Sequence, residues 1–376
     1  MRLIQVNLQR HFGGGEVFTA FLCRALDRLG VTTRLLHHPE AAFWETLNLP
    51  PSTEREQVAN PQEIAYRLPA GPVWILSHGP LPEQVALQLA GRHLMTSIAH
   101  MPPQGRPSDN YPHCHLVFGV SRYVLDGLQK LGLPIWDTPL YGVADLAERP
   151  AESSLIIQRS CYAWDQRKGR DRLLGIIEPL LEPLRSRPRF EPRPGITLGI
   201  VSRLTPIKQF PEQFEILAPI LARNEGVNLE IFGAGGYASV RDLRHALSPV
   251  GNRARFWGMQ NNVAAIYRQL DFLMTGLPEK EALGLNVIEA QACDLPVLAV
   301  AAPPFTETVI DGLTGHFYCD PREDQGAGFS ALLNCLMTAQ TRLHPREAVD
   351  HLGKFTFDAF VARLAPIVKA MEARHV

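Results

Sequence analysis

Between residues 270 and 300 the chain passes from a short apolar run, Leu270 to Met274, through a loop and a helix-length segment into a second apolar run, Val297 to Val300. Two such runs joined in this way read as strand, loop, helix, strand in one right-handed crossover, so the sheet they enter is parallel. The same alternation recurs along the chain. Leu3 to Leu8, Thr32 to Leu36, Val73 to His78, Thr96 to His100 and Leu116 to Val120 read as strands of a first sheet. Ile196 to Val201 and Val227 to Phe232 open a second. With 376 residues there is length for two domains, and the fold class is α/β, doubly wound twice over.

The loop and helix of the crossover carry Glu279-Lys280-Glu281-Ala282-Leu283-Gly284-Leu285-Asn286-Val287-Ile288-Glu289-Ala290. The spacing predicts a helix that starts near Gly284. Glu281 then lies outside the carboxyl end of a parallel strand, where open α/β sheets bind ligands, and Glu289 lies about one turn inside the helix. Paired carboxylates accept hydrogen bonds from sugar hydroxyls, while the helix N-terminus beside them favours a phosphate. A plainer reading makes Glu289 a solvated helix residue and Glu281 a partner of the helix dipole.

Glu-x7-Glu with Gly-Leu inside it and Glu-Ala at its end resembles the signature of the family 4 retaining glycosyltransferases. The resemblance implies the GT-B fold: two facing Rossmann-like domains with a cleft between them. It divides the chain into an acceptor-side domain at 1–150, a linker at 151–195, a nucleotide-sugar domain at 196–354, and a helix at 355–376 crossing back to the first domain. Further matches follow in order. Gly13-Gly14-Gly15-Glu16, a glycine turn before a helix, resembles the acceptor-side loop, and His100 aligns with a family histidine near the transferred sugar. Tyr141-Gly142-Val143-Ala144-Asp145 resembles a Gly-Val-Asp turn with one inserted residue.

Ser202-Arg203-Leu204 to Lys208-Gln209 resembles a Gly-Arg-Leu to Lys-Gly segment whose basic pair, here Arg203 and Lys208, neutralises a leaving diphosphate. Serine and glutamine replace the two glycines. Gly233-Ala234-Gly235-Gly236-Tyr237-Ala238 fits GxGxxA but does not open its sheet, and Arg255-Phe256-Trp257-Gly258 stands where a dinucleotide site would end a strand in an acid. By resemblance Gly233 and Gly235 pack near the nucleoside and the turn from Gly258 to Asn262 lines the base pocket. Ala302-Pro303-Pro304 stands where the family has two glycines, which removes backbone donors. The implied roles are catalysis by Lys208, Arg203, Glu281 and His100, and donor binding by these basic residues with Gly233, Gly235, Glu281, Glu289 and Gly258.

Composition bounds the partners. A formal charge of −1 gives no general attraction to nucleic acid. Residues 151–195 hold an excess of Lys and Arg, compatible with weak peripheral membrane contact but better explained as a solvated linker. Six cysteines without a CxxC pair suit buried free thiols, and His113-Cys114-His115 lacks a fourth ligand at zinc spacing. With no eighteen-residue apolar run and no signal-like start, the expectation is a cytoplasmic protein, acting at most at the inner face of the membrane. Asp-x-Asp is absent, so neither a metal-bridged diphosphate nor a cofactor is expected; the donor would be a UDP- or GDP-sugar and the acceptor a saccharide, lipid-linked or small-molecule hydroxyl. Two alternatives stay open: a catalytically silent relative serving as a binding or scaffold subunit, and a nucleotide-sugar epimerase of the same fold.

Overall fold

The computed structural model of the chain describes residues 2–104, 108–144, 155–164, 169–181, 187–339 and 341–375. They form two compact units, Met1–Ala144 with Gly353–Val376, and Asp145–Leu352.

Unit 1 is built on six parallel strands: β1 (Leu3–Asn7), β2 (Thr33–His37), β3 (Thr53–Gln57), β4 (Trp74–Ser77), β5 (Leu94–Ala99) and β6 (Leu116–Gly119). Their order is β3-β2-β1-β4-β5-β6, so the winding reverses between β1 and β4. Every residue of β1, β4 and β5 is buried, because central strands of a parallel sheet are covered on both faces. Helix α1 (Gly14–Arg28) follows β1 across the glycine turn. Helix α2 (Arg122–Lys130) begins where Ser121 Oγ accepts from Val124 N at 3.1 Å as an N-cap.

Unit 2 repeats the plan with β7 (Ile196–Val201), β8 (Val227–Phe232), β9 (Ala254–Gly258), β10 (Phe272–Met274), β11 (Val297–Val300) and β12 (Gly315–Tyr318). The order β12-β11-β10-β7-β8-β9 places its reversal between β7 and β10. Helix α3 (Phe210–Arg223) follows β7, and α4 (Leu285–Ala292) joins β10 to β11, the crossover expected from the sequence. The last helix, α5 (Phe357–His375), belongs to unit 1. There Phe360 meets Phe18 of α1 edge-on at 5.4 Å and Asp358 pairs with Arg28 at 2.5 Å.

Two parts of the sequence reading change. Residues 151–195 are not a free connection where they are described, for they are built into unit 2. Arg159 N donates to Trp257 O at 3.0 Å, Tyr162 forms a parallel bridge with Gly235, and Phe190 packs on Trp257 at 5.3 Å between ring centroids. A helix runs Gly169–Leu181 within this segment, and residues 182–186 lie outside the described set, as does Asp145 of the Gly-Val turn. Strand β3 was not anticipated. Its Thr-Glu-Arg-Glu-Gln has no apolar residue to announce it, and it is an edge strand tied to β2 by Arg34 reaching Glu54 at 3.1 Å and Glu56 at 3.3 Å.

Candidate active site

At the switch point of unit 2 the loops after β7 and β10 meet. After β7 a 3-10 turn, Pro206–Lys208, presents Lys208, and Gln209 closes it with φ +52° before α3 starts. Glutamine here adopts the left-handed conformation that a glycine adopts without cost. After β10, Gly276 lies so close to Lys208 that a Cβ there would fall 2.1 Å from the Lys208 carbonyl oxygen, and Leu277 N donates to that oxygen at 3.2 Å. The backbone of Lys208 is thus pinned to the end of β10.

Its ammonium is paired with Glu281 Oε2. The other oxygen of Glu281 accepts from Ala282 N at 3.1 Å and Gly284 N at 3.3 Å, at the start of α4. Burial alone would raise the pKa of this carboxyl, but Lys208 and the two amides outweigh it and hold the group below its usual value. A carboxylate here occupies the place where helix N-termini hold anions. Gly284, at φ +80°, turns the chain into α4, and Asn286 Nδ2 ties its first turn to Val201 O at the end of β7, 3.2 Å away.

Glu289 lies one turn further along α4, half-buried, where it accepts from Tyr267 OH at 3.4 Å. The same hydroxyl lies 3.4 Å from Asn286 O. Tyr267 is fully buried, and burial and then the Glu289 charge push its pKa well up, so it stays a neutral donor. Arg203 is exposed two residues past β7. The structure thus joins Lys208 and Glu281 directly and links Glu289 to their helix turn through Tyr267 and Asn286.

The glycines that follow β8 act in packing. A Cβ on Gly233 would lie 1.8 Å from Ser202 O, and one on Gly235 would lie 1.9 Å from Leu204 O. Gly233 N donates to Gly258 O and Gly235 N to Cys161 O, both at 2.9 Å, so these two amides are engaged by the protein's own backbone. A Cβ on Gly258 would meet the carbonyl oxygens of Ser160 and Arg159 at 2.4 and 2.5 Å. Residues 159–163 line these turns, a neighbour that the sequence pattern did not disclose. Pro303 and Pro304 are joined by a cis peptide bond, and Pro304 caps the short helix Phe305–Thr308.

In unit 1 the other predicted residues gather around α1. Gly13 is its extended N-cap, Glu16 is buried in its first turn, and the His100 ring lies 3.9 Å from where a Cβ on Gly15 would stand. Phe18 meets His100 edge-on at 5.1 Å. His100 Nε2 lies 3.3 Å from Nδ1 of buried His78, and burial lowers the His100 pKa to about 4.

Residues 195–338 match the family model for Glycosyl transferases group 1. The match is confined to this segment. It contains Arg203, Lys208, Glu281 and Glu289, the whole unit 2 cluster. Over a longer span the chain is similar to named glycosyltransferases. It is 32% identical over 152 residues to D-inositol 3-phosphate glycosyltransferase of Mycolicibacterium vanbaalenii, covering 38% of this chain and 33% of that one. To the protein of the same name from Stackebrandtia nassauensis it is 25% identical over 398 residues, covering 92% and 84%. The matches span 33%, 60% and 35% of the lengths of the first three curated relatives. Among solved structures, Anabaena HepE in complex with UDP and glucose superposes with a TM-score of 0.68 at 16% identity, over 98% of this chain and 100% of that one. That likeness, with two six-stranded parallel sheets, shows the GT-B fold. Among the described residues no helix is long and apolar enough to cross a membrane.

Proposed function

We propose that this protein is a retaining, metal-independent glycosyltransferase that moves a sugar from a nucleotide-diphosphate sugar to an acceptor hydroxyl. The observation that carries the reading is the Lys208–Glu281 pair at the start of α4, beside the switch point of unit 2. A cation pinned by its own backbone next to a helix N-terminus is preorganised for a diphosphate, and Glu281 is the carboxylate paired with it. On binding, Lys208 and Arg203 take the phosphates, so charge that builds on the departing diphosphate meets two fixed cations. Glu281 is then released to position the sugar, and Glu289 receives ribose hydroxyls. His100 of unit 1 receives a hydroxyl of the sugar or of the acceptor. The relatives named for glycosyl transfer and the UDP bound by the structural neighbour support the donor class. The acceptor is a hydroxyl compound, in keeping with a role in glycan or glycoconjugate synthesis.

Lys208→Ala tests the electrostatic role. Transfer should slow by about 100- to 1000-fold in single-turnover assays, the usual loss on removing one group that stabilises developing charge. Turnover within a few fold of wild type would reject the assignment. The reading as a silent subunit, suited by Pro303-Pro304, predicts instead that the wild-type chain binds a nucleotide sugar without consuming it.

A further inference from the structure

The proposed function gives no task to His78, a buried titratable group at the end of β4. Its side chain sits between Gln5 of β1 and His100 at the end of β5, with Nε2 2.8 Å from Gln5 Oε1 and Nδ1 3.3 Å from His100 Nε2. The two imidazole planes lie within 17° of parallel with ring centroids 5.5 Å apart, which leaves the two nitrogens within hydrogen-bond reach. The protons in this chain can be assigned from its far end.

Thr33 Oγ1 directs its own proton at Leu3 O, 3.4 Å away, and so accepts from Gln5 Nε2 at 3.2 Å. The same amide nitrogen lies 3.2 Å from Cys23 Sγ, whose pKa burial raises to about 11, keeping it a thiol. Both contacts orient the Gln5 amide with nitrogen toward β2 and α1, leaving Oε1 for His78. An amide oxygen only accepts, so His78 carries its proton on Nε2, and Nδ1 holds a lone pair. Two groups approach that lone pair. Thr19 Oγ1 is at 3.2 Å, but its proton goes to Gly15 O at 2.8 Å while it accepts from Asn7 Nδ2 at 3.1 Å. The donor that remains is His100 Nε2–H.

We infer that His78, held by Gln5, is a positioning residue that fixes His100 in the Nε2–H tautomer, so that His100 Nδ1 is left without a proton, an acceptor for a ligand hydroxyl. This rests on the reading of His100 given above. The consequence is selective, because a bare ring nitrogen accepts from a hydroxyl and repels a phosphate or carboxylate. Unit 1 therefore recognises a neutral polyol group at this point rather than an anion. Burial supports the arrangement by keeping both rings uncharged: His78 is held well below its ordinary pKa, chiefly by burial and then by the His100 ring.

Nitrogen-15 spectra of the histidine rings in the full chain test the inference without any sugar. The His100 signals are identified by their loss in His100→Asn. The expected result is a protonated Nε2 and a bare Nδ1 in wild type. His78→Asn, whose Oδ1 falls near the former Nδ1, keeps that pattern, and His78→Leu loses it for a mixture of tautomers. A wild-type His100 with its proton on Nδ1, or an unchanged tautomer in His78→Leu, overturns the inference. With UDP-glucose as the probe donor, kcat should fall about tenfold in His78→Leu, the worth of one hydrogen bond, with little change in KM and recovery in His78→Asn. Combining His78→Leu with His100→Ala should cost no more than His100→Ala alone, and additive losses would contradict action through His100. If His100→Ala turns over normally while the spectra are as expected, the role given to His100 in the proposed function fails and the positioning by His78 stands.

Discussion

At the scale of single residues, the two histidines of unit 1 give the clearest measurable signature. Burial holds His78 well below, and His100 down to about 4 against, the ~6.5 of an unfolded chain. The folded values are lowered, so the stability these rings contribute is fully present above pH ~6.5 and is lost as pH falls toward the folded pKa values. In that window the unfolded chain binds protons that the folded rings refuse. The urea midpoint of the wild type should therefore drop more steeply between pH 6.5 and 4.5 than that of a His78→Asn, His100→Asn double variant. His37 and His93, also lowered by burial, are common to both proteins and cancel. Parallel pH curves would show that the pair is not buried in neutral form.

At the scale of elements, backbone contacts and one buried charge hold the strand ends of unit 2 in place. Glu230 on β8, 1% exposed, accepts from Arg255 of the neighbouring β9 at 2.5 Å and from Trp257 Nε1 at 2.6 Å. Arg255→Met leaves a buried carboxylate without its cation and should cost about 3–5 kcal/mol in chemical denaturation; a loss below 1 kcal/mol would mean the pair is not stabilising β8 against β9. Gly235→Ala drives a methyl group into Leu204 O and should cost about 1–3 kcal/mol, whereas Gly236→Ala enters open space and should cost only about a few tenths. Equal effects would show that the close backbone approach is not what demands glycine. The same elements explain what was legible in the sequence. Strands β7, β8 and β11 begin and end at the bounds read from the sequence, because both faces of these strands are buried. Strand β3 and the segment 155–164 were not, since each is held through backbone pairing and surface charge that leave no apolar period. In the site, Lys208 and Glu281 were both evident from their motifs. Their pairing, across 73 residues of sequence, was not, because it depends on the switch point bringing the loops after β7 and β10 together.

At the scale of the whole molecule, two sheets of the same winding order make two units, each with its own switch point, and the proposed chemistry divides between them. Unit 2 carries the cations and acids that suit a nucleotide diphosphate; unit 1 carries a neutral histidine pair, His78 buried and His100 half-buried, that suits hydroxyls. The most direct measurement is hydrogen exchange of the full chain with and without UDP, GDP and ADP. The account predicts that one of these nucleotides slows exchange at residues 201–209 and 276–286, and that Lys208→Ala abolishes that protection. A nucleotide that binds and protects other segments, or three nucleotides that leave both stretches unchanged, would contradict it.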